Sequence, residues 1–370
     1  MDGLNRLLKK EILFIFYFLL FICGGFWFPV QWVGISGLAL ASLTLFIIYQ
    51  KSKTIELPPA YFPLLIFMGI LIVGQLTTFD FASSLRFLPM FLVGFIMMIV
   101  AYNLPVTGKK YFEKAIIVCG IIFLIVYIVN RFGKSPFIHS LSIPLYATRN
   151  FNHSHIGDFW AVILVIGFYY LVNSTKTNFY NLITPLSIPV LAASISRASF
   201  VAAGIGVGLI TLRENLFNKH KLLIAGAAGL FLVMFLLASV NKSVISSRPY
   251  FLQAVKGILD NPVGVGLGNF YFISREVTFG SGGNLPFSFY THNLILEMMI
   301  SSGILSLPFV IWFSYVLFLS WRSYQLKKNV FALIFIVLSV NFMFDYTYFI
   351  PTMLWVWFSA LGFALRNHGQ

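Results

Sequence analysis

Charged side chains are scarce in this 370-residue sequence, of which only 10% is Asp, Glu, Lys or Arg. A soluble domain is usually about a quarter charged, so this scarcity excludes a water-soluble fold. Acidic residues are the rarest, 11 against 25 basic residues, and the predicted outer loops contain no Asp-x-Asp or Glu-x-Asp pair that could hold a divalent ion. The two cysteines, Cys23 and Cys119, fall in apolar segments predicted near opposite membrane faces, so no disulfide is expected.

Long apolar runs dominate the sequence, since 59% of its residues are hydrophobic. A helix needs roughly 17 to 25 mainly apolar residues to cross a hydrocarbon core. The first run lacks a small-x-small cleavage site, so it is interpreted as a retained span and not as a signal peptide. The pattern predicts an all-α polytopic membrane protein, a single transmembrane domain with about twelve helices. These lie near residues 11–28, 32–49, 61–78, 86–103, 114–131, 156–173, 179–195, 198–213, 221–239, 303–321, 329–345 and 349–366.

Basic residues divide the connections between spans into two sets. The positive-inside rule places the larger, lysine-rich set in the cytoplasm, together with both termini. The outward set is mostly arginine, whose planar fork matches phosphate oxygens, although such residues can also simply snorkel at the interface. Basic residues are scattered between apolar runs and form no clustered footprint, so no nucleic-acid partner is expected. The outward set is Arg86, Arg131, Lys134, Arg149, Arg197, Lys242, Arg248, Lys256 and Arg275.

The longest polar insertion covers residues 240–302 on the predicted outer side, and an insertion of this length is usually functional or disordered. Pro249 stands where a helix begins, and apolar residues recur at helical spacing until Asn261. An amphipathic helix on the outer surface is therefore expected. Residues 264–268 then predict a tight glycine-rich loop, and residues 280–283 supply a flexible tip. The insertion is predicted to form a catalytic lid.

Neither a cofactor nor a metal is expected. Residues 264–268, Gly-Val-Gly-Leu-Gly, look like a dinucleotide-binding fingerprint, but that motif needs a strand before it and a helix that opens inside a parallel sheet. His153 and His155, with Asp158 nearby, could suggest a metal site. No second cluster shows ligand spacing, so a metal is not favoured.

Residues 196–199, Ser-Arg-Ala-Ser, join the seventh and eighth predicted spans with almost no spare length. This short connection holds Arg197 at the membrane surface beside the start of a helix. Helix N-termini bind anions through free backbone N–H groups and the helix dipole. Arg197 is therefore a candidate phosphate-binding residue, and the alternative is a simple polar hairpin.

Residues 290–297, Tyr-Thr-His-Asn-Leu-Ile-Leu-Glu, place a histidine beside this arginine-rich face. Thr291 is predicted to cap a short helix that runs from His292 to about Ser301. An imidazolium is disfavoured at a helix start, so His292 is expected to be neutral and able to accept a proton. The alternative is that a lone loop histidine is incidental.

Three segments, taken in order, resemble the O-antigen ligase and O-antigen polymerase superfamily. They are Ser196-Arg197 opening a span, Ser247-Arg248-Pro249 followed by residues 261–270, and residues 291–297 ending at Ser302-Gly303. The matching motifs run from about Arg149 to Gly303, while the first five spans share only hydropathy. One departure lies before the sixth span, where the family segment is usually Asn-rich without paired histidines and this chain has His153 and His155.

The resemblance implies an inverting, metal-independent glycosyltransferase of the bacterial cytoplasmic membrane, with its active site outside. Its donor would be a polyprenyl-diphosphate-linked glycan, and its acceptor a glycan, lipid A core or a protein. Arg197 and Arg248 would hold the diphosphate, and His292 would assist the acceptor hydroxyl. Charge placement adds three further arginines for the diphosphate, and the histidine segment adds three supporting or acceptor-binding side chains. These are Arg149, Arg86 and Arg275, and Tyr290, Asn293 and Glu297, respectively.

Two other classes of function fit the same topology. A transporter or flippase of lipid-linked envelope glycans needs ionisable groups near the bilayer midplane, and the predicted spans contain almost none there. A binding or scaffold protein of the envelope would have no reason to combine His292 with Arg197 and Arg248. Within the enzyme class, ligase, polymerase and protein O-glycosyltransferase remain open, because they share the donor half and differ in the acceptor.

Overall fold

The computed structural model of the chain describes residues 10–27, 30–104, 106–132, 153–173, 179–216, 249–280 and 287–366, together with the single residues 229 and 236. These residues form helices joined by short turns and contain no strand. In chain order the helices are α1 (Lys10–Ile22), α2 (Val30–Ser52), α3 (Tyr61–Val73), α4 (Phe81–Asn103), α5 (Val106–Phe132), α6 (His153–Asn173), α7 (Phe179–Ser194), α8 (Arg197–Arg213), α9 (Pro249–Asp260), α10 (Phe270–Gly280), α11 (Leu294–Ser302), α12 (Leu307–Lys327), α13 (Val330–Phe342) and α14 (Pro351–Leu365).

The apolar helices indicate a membrane protein. Every predicted span except 221–239, which falls almost wholly outside the described residues, coincides with a helix of the structure. By length and composition, 5 helical stretches of the described chain are able to cross a membrane, and shorter apolar helices accompany them. The all-α class is confirmed, and the number of twelve spans stays a prediction. The long stretches are Trp32–Ser52, Phe81–Asn103, Gly108–Val129, His155–Asn173 and Leu294–Lys327.

Some predicted helix starts are wrong by several residues. The fourth span was expected from residue 86, but α4 begins at Phe81 because Asp80 caps it: the Asp80 carboxylate accepts the backbone N–H of Ala82 at 3.0 Å. The tenth span was expected from residue 303. There a short 3-10 turn comes first, and α12 begins at Leu307 with a proline in its first turn.

The centre of the bundle is a hairpin of α13 and α14. Every residue of α14 is buried, as expected for a helix that is apolar on all sides. It packs against α13, α4 and α12. Two buried indoles fix its position, because Trp355 Nε1 donates to the carbonyl of Met90 at 3.0 Å and Trp357 Nε1 donates to Ser339 Oγ at 2.8 Å. These two bonds hold α14 against α4 and α13.

Small residues allow α4 and α14 to approach closely. A Cβ atom added to Gly362 would lie 2.3 Å from the carbonyl oxygen of Met98. A Cβ atom added to Gly94 would lie 2.3 Å from Cδ2 of Phe358. Neither contact can be accommodated without movement, so these two glycines set the distance between the helices.

The two ends of the bundle differ in charge. At one end, here called the basic end, Glu214 is paired with Arg213 at 2.7 Å and with Lys328 at 2.8 Å. The opposite end, here called the His292 end, carries α9, α10 and the start of α11. The positive-inside rule assigns the basic end to the cytoplasm, and this orientation stays a prediction. The described cations of the basic end are Lys51, Lys53, Lys109, Lys110, Lys114, Arg213, Arg322, Lys327, Lys328 and Arg366.

Candidate active site

The side chain of His292, which precedes α11, is paired with that of Asp345. Asp345 lies in the turn between α13 and the 3-10 segment that precedes α14. The imidazole Nδ1 lies 3.7 Å from Oδ1 of Asp345, and the two side chains are 23% and 13% exposed. This distance is longer than a hydrogen bond, although catalytic hydrogen bonds are often long in unliganded structures and shorten when substrate binds. The same Asp345 oxygen accepts the backbone N–H of Tyr346 at 2.7 Å. The carboxylate is thereby held toward the imidazole.

The pKa of Asp345 lies below its ordinary value. Burial by itself raises the pKa of this carboxyl, but the adjacent imidazoles of His292 and His155 and the N–H of Tyr346 lower it by more. An ionised Asp345 favours a proton on Nδ1 of His292. That proton leaves the second ring nitrogen, Nε2, as the acceptor.

Aromatic rings fix the orientation of the His292 ring. It stacks on Tyr250 of α9, with ring centres 4.7 Å apart, and meets the edge of Tyr346 at 4.9 Å. Tyr290 stacks on Tyr346 from the other side at 4.9 Å, and the buried His155 meets Tyr346 edge-on at 5.1 Å. These five residues, Tyr250, Tyr290, Tyr346, His155 and His292, are called the aromatic cluster below. They bring α9, α6, the turn before α11 and the α13–α14 turn together.

The predicted cap of the short helix is wrong. Asn293 caps α11, because its Oδ1 accepts the backbone N–H of Leu296 at 3.0 Å, and the helix runs from Leu294 to Ser302. Thr291 is used otherwise: both its N–H and its Oγ1 lie 3.0 Å from Oε2 of the buried Glu297. His292 consequently precedes the helix and does not lie in its first turn. Its backbone has a positive φ of 55°.

Glu297 and Asn293, both predicted as supporting residues, hold this turn in place. Oε2 of Glu297 also accepts from the hydroxyl of Tyr348 at 3.3 Å. The side-chain amide of Asn293 donates to the carbonyl of Met343 at 3.2 Å. The turn that carries His292 is thus bonded to both sides of the Asp345 turn. Glu297 is fully buried and Asn293 partly buried, and both residues act by fixing the position of the turn.

A buried carboxylate, Asp158 of α6, links the start of α8 to the Asp345 turn. Its Oδ1 accepts from Ser196 Oγ at 3.1 Å, from Ser199 Oγ at 2.5 Å and from Asn341 Nδ2 at 2.7 Å. The backbone N–H of Asp345 in turn donates to the carbonyl of Asn341 at 2.9 Å. Among the described residues, Oδ2 of Asp158 has no hydrogen-bond partner. Three side chains, two from the start of α8 and one from α13, therefore meet at this carboxyl group.

Arg197 is the first residue of α8, as predicted. Ser196 caps the helix by accepting the N–H of Ser199 at 3.2 Å, and α7 ends only two residues earlier, at Ser194. Because Ser196 and Ser199 both bind Asp158, the helix start at Arg197 is fixed relative to Asp345 and His292. Hydrogen bonds through Asp158 and Asn341 thus connect the helix start at Arg197 to the turn that carries Asp345.

Tyr290, a member of the aromatic cluster, lies next to α4, the helix that carries Arg86. Phe87 contacts Tyr290 edge-on at 6.3 Å, and Arg86 is exposed on α4, inside the helix and not at its start. Burial raises the pKa of Tyr290 to about 12, and the charge of Glu297 acts in the same direction while the charge of Arg86 opposes it. The guanidinium of Arg86 is therefore within electrostatic range of the Tyr290 hydroxyl.

Of the other predicted arginines, the structure describes Arg275, and it is not brought to this network. Arg275 is exposed on α10, where its guanidinium lies 5.7 Å from the ring centre of Phe279 and 3.4 Å from the hydroxyl of Tyr271. Both contacts are within its own helix. Arg149 and Arg248 lie outside the described residues, as does the side chain of His153.

The described part of the predicted lid, residues 249–280 and 287–302, packs as a layer over the bundle. The expected helix from Pro249 to Asp260 is confirmed, while α10 was not predicted, although Phe270, Ile273 and Val277 recur at helical spacing. The glycine loop (residues 261–269) follows a helix and not a strand, which is incompatible with a dinucleotide-binding fingerprint. Gly264, Gly266 and Gly268 all have positive φ. Residues 281–283 of the predicted tip lie outside the described residues.

Backbone hydrogen bonds join the glycine loop to its neighbours. The N–H of Val265 donates to the carbonyl of Ile300 at 3.0 Å, and the N–H of Gly266 donates to Ser301 at 2.9 Å. On its other side, the carbonyl of Val265 accepts the N–H of Phe79 at 3.0 Å. The loop therefore connects the end of α11 to the turn before α4.

Sequence reasoning missed the carboxylates that organise the site. Asp158 was considered only as a metal ligand, and Asp345 was placed at the end of a span without a role. Within the described residues, no group of three or more His, Cys, Asp and Glu side chains is arranged to hold a metal ion. The signal for Asp345 was available in the polar break that it makes between two apolar runs.

No protein-family model matches this chain, and no curated protein matches it either. The class of protein that the fold defines is an all-α protein with apolar helices suited to a membrane. The resemblance to the O-antigen ligase and polymerase superfamily stays a prediction.

Proposed function

We propose that the protein is an inverting glycosyltransferase that transfers or polymerises a glycan from a polyprenyl-diphosphate donor onto an acceptor hydroxyl. The observation that carries the proposal is the pairing of His292 with Asp345 at the end of the bundle where Arg197 opens a helix. A histidine oriented by a carboxylate is the usual arrangement of a general base. The same end offers guanidinium groups for an anionic donor.

The proposed base is Nε2 of His292. Asp345 orients the ring and stabilises the imidazolium that forms when the acceptor proton is taken up, as the carboxylate does in other carboxylate–histidine pairs. Tyr250 and Tyr346 restrict ring rotation by packing on its face and edge. General base catalysis of this kind contributes about 10² to 10⁴ in rate.

The proposed diphosphate contacts are Arg197 and Arg86, with Arg248 and Arg149 added from sequence. The first turn of α8, at the positive end of the helix dipole, and the guanidinium of Arg197 supply positive charge at one point. Because the Ser196–Asp158–Ser199 bonds fix this turn, little reorganisation is needed when the anion binds. Positive charge placed in advance stabilises the negative charge that grows on the leaving diphosphate.

The reaction consists of one displacement. The acceptor oxygen forms a bond to the anomeric carbon while the bond from that carbon to the diphosphate oxygen breaks, and the diphosphate keeps the electron pair. The hydroxyl proton moves to Nε2 of His292. Attack opposite the leaving group inverts the anomeric configuration, and the products are the extended acceptor, the polyprenyl diphosphate and a proton that His292 later releases to water.

The proposed location is the outer face of the bacterial cytoplasmic membrane, with both termini in the cytoplasm. The lysine-rich composition of the basic end supports this orientation. The acceptor is a hydroxyl of a glycan, of lipid A core or of a protein. It would approach from the aqueous side of the His292 end.

The test is transfer in vitro from a polyprenyl-diphosphate-linked glycan by the purified full-length protein. Product is expected from the wild-type protein and is expected to persist in the presence of a chelator, whereas His292→Ala should lose it. Full transfer by His292→Ala would refute the assignment of the base. Movement of the lipid-linked glycan across a vesicle membrane without a new glycosidic bond would instead establish the transporter or flippase alternative.

A further inference from the structure

A cavity at the basic end lies between α12 and the end of α14. Its volume is about 380 Å³, within the range of roughly 300–1,000 Å³ that is usual for ligand sites. Its walls are the C-terminal half of α12, the last residues of α14, and Pro59, which precedes α3. Three of the described lining residues are cations, Arg322, Lys327 and Arg366, and none is acidic. This cavity is called the cationic cavity below.

No ion pair neutralises the cations of the cationic cavity within the described part of the chain. At the same end of the bundle, Glu214 forms ion pairs with two other cations. Neither these pairs nor the contact at the His292 end includes Arg322, Lys327 or Arg366. Because like charges around one cavity repel one another, a bound anion would be attracted by all three.

Arg366 contributes a buried hydrogen-bond donor. Its Nη1 atom is buried, and no group among the described residues accepts a hydrogen bond from it. The backbone N–H of Arg366 donates to the carbonyl of Gly362 at 3.2 Å, which fixes the start of the side chain. The charge of Glu56 acts on the guanidinium, but Glu56 is exposed and does not line the cavity. Since a buried donor of a charged group costs free energy until it finds an acceptor, Arg366 favours an anionic ligand.

Hydrogen bonds hold the two walls of the cationic cavity together. Ser323 Oγ donates to the carbonyl of Ala364 at 2.9 Å. The side-chain amide of Asn329 donates to Ser323 Oγ at 3.2 Å and to the same carbonyl at 3.3 Å. Ser323 and Ala364 both line the cavity. The walls are therefore fixed before a ligand binds, and such preorganisation reduces the cost of binding.

Apolar and cationic side chains follow one another along the α12 wall. Tyr315 and Leu319 come first, and Arg322 and Lys327 follow in the direction of the basic end, with Leu326 as the apolar lining residue between them. Tyr315 is 47% exposed, and Arg322 lies roughly 10 Å beyond it along the helix axis. This wall belongs to a helical stretch able to cross a membrane, where exposed apolar side chains contact hydrocarbon. The wall therefore changes from apolar to cationic toward the end of the helix, as a phospholipid changes from acyl chain to headgroup.

We propose that the cationic cavity binds an anionic phospholipid, with the phosphate at the three cations and an acyl chain along the apolar part of α12. Basic pockets between membrane helices suit such headgroups because each Lys or Arg attracts them. A zwitterionic headgroup carries its own ammonium, which would add a positive charge to the three. A free phosphate ion would neutralise the cations but would leave the apolar wall without a partner. The site lies at the end of the bundle opposite His292, so it does not depend on the proposed reaction.

The experiment is a titration of the purified full-length protein in detergent with phosphatidylglycerol, in which bound lipid is counted by native mass spectrometry. Phosphatidylethanolamine with the same acyl chains and inorganic phosphate are the comparison ligands. Phosphatidylglycerol is expected to bind about tenfold more tightly than phosphatidylethanolamine, and inorganic phosphate in excess is expected not to displace it. Equal affinity for the two lipids would overturn the proposal. Displacement by inorganic phosphate would overturn it as well, because the ligand would then be a soluble anion.

A matched pair of variants locates the bound lipid. Lys327→Gln removes a cation of the cavity, whereas Lys51→Gln removes an exposed lysine from the last turn of α2 at the same end, outside the cavity. Lys327→Gln should weaken the binding of phosphatidylglycerol about fivefold, and the double variant with Arg322→Gln should weaken it about 25-fold. Lys51→Gln should leave it unchanged. An equal loss in both single variants would contradict the proposal, since the lipid would then be held by the charge of the whole end.

The substituted side chains Lys327, Arg322 and Lys51 are all exposed, so the variants are expected to fold. Thermal unfolding without added lipid checks this expectation. If Lys327→Gln does not fold, Arg322→Gln takes its place with the same expected loss of about fivefold. The comparison of the two lipids on the wild-type protein decides the proposal in every case.

Discussion

Nδ1 of His292 and Oδ1 of Asp345 lie 3.7 Å apart, although 53 positions separate the two residues in the sequence. The histidine belongs to the layer over the bundle, and the carboxylate belongs to the turn of the central hairpin. Their meeting depends on two sets of bonds, those of Thr291 to Glu297 and those of Asn341 to Asp158. Five predictions follow from this arrangement and from the packing beneath it.

Replacement of Asp345 by asparagine should reduce glycan transfer about 10² to 10⁴-fold. The amide keeps the shape of the side chain but removes the charge that orients and stabilises the His292 ring. The measurement is the initial rate with saturating donor and acceptor. Asp260→Asn, which alters an exposed carboxylate at the end of α9, is the control and should retain the wild-type rate. An equal rate for the two variants would remove Asp345 from the mechanism.

Two substitutions of His292 should separate its chemistry from its backbone. The φ of 55° at this position is more accessible to asparagine than to alanine. His292→Asn and His292→Ala should both lose transfer, but only His292→Ala should lower the free energy of unfolding, by roughly 1 kcal/mol. The measurements are transfer and thermal unfolding in the same detergent. Activity in the asparagine variant would show that the imidazole is not the base.

The hydroxyl of Ser199 should matter for donor binding. Ser199→Ala removes one of the hydrogen bonds to the buried Asp158 and loosens the helix start at Arg197. A hydrogen bond contributes about 0.5–1.5 kcal/mol, so the KM for the donor should rise about two- to tenfold. Ser187→Ala is the matched control, since Ser187 is equally buried and donates only to the carbonyl of Ile183 in its own helix. A KM that changes equally in both variants would contradict the role given to Asp158.

Gly362→Ala should destabilise the bundle. The added methyl group would collide with the backbone of Met98, and overpacking of this kind costs about 1–3 kcal/mol. Gly204→Ala adds the same group to open space on α8, where alanine is the better helix former by about 1 kcal/mol. The midpoint temperature of thermal unfolding should therefore fall for Gly362→Ala and should not fall for Gly204→Ala. A lowered midpoint in both variants would show that the close approach of α4 and α14 does not cause the loss of stability.

The cap of α4 should give a pH-dependent contribution to stability. The hydrogen bond from Ser83, with smaller contributions from backbone N–H groups and from Arg86, holds the pKa of Asp80 below its ordinary value. A lowered pKa in the folded state stabilises the fold above the unfolded value of about 3.9. This contribution is lost as the pH falls through the lowered folded value. At neutral pH the free energy of unfolding of Asp80→Ala should therefore be lower than that of the wild type by about 1 kcal/mol.

The comparison across pH supplies the control for this last prediction. The difference between the wild type and Asp80→Ala should be constant from pH 5 to 8 and should shrink below a pH of about 3.9. A difference that stayed the same at low pH would mean that the carboxylate acts through packing and not through its charge.

Local patterns predicted the helices well and the site in part. Apolar runs predicted the helices because a helix in hydrocarbon must form its own backbone hydrogen bonds. Each segment meets this requirement alone. Arg197 at a helix start was predictable for the same reason, since Ser196 caps only its own helix. Residues 249–260 also carried their own proline and spacing.

The carboxylates at the centre of the site could not be predicted in this way. Asp158 binds Asn341 across 183 positions, and nothing near either residue indicates the other. The prediction that Thr291 caps α11 was wrong for a related reason. Thr291 and Asn293 are both good caps, and the choice was decided by Glu297 and Tyr348, which hold the Thr291 hydroxyl elsewhere.

Under the proposed function, the central hairpin also determines at which point in the synthesis of the chain activity can begin. Asp345 lies in the turn between α13 and α14, and the proposed base and the proposed diphosphate-binding arginines precede it in the chain. A nascent chain that ends before this turn therefore contains the histidine and those arginines but lacks the carboxylate that orients the imidazole. Under the proposed function, transfer from lipid-linked glycans can begin only after the hairpin has entered the bundle.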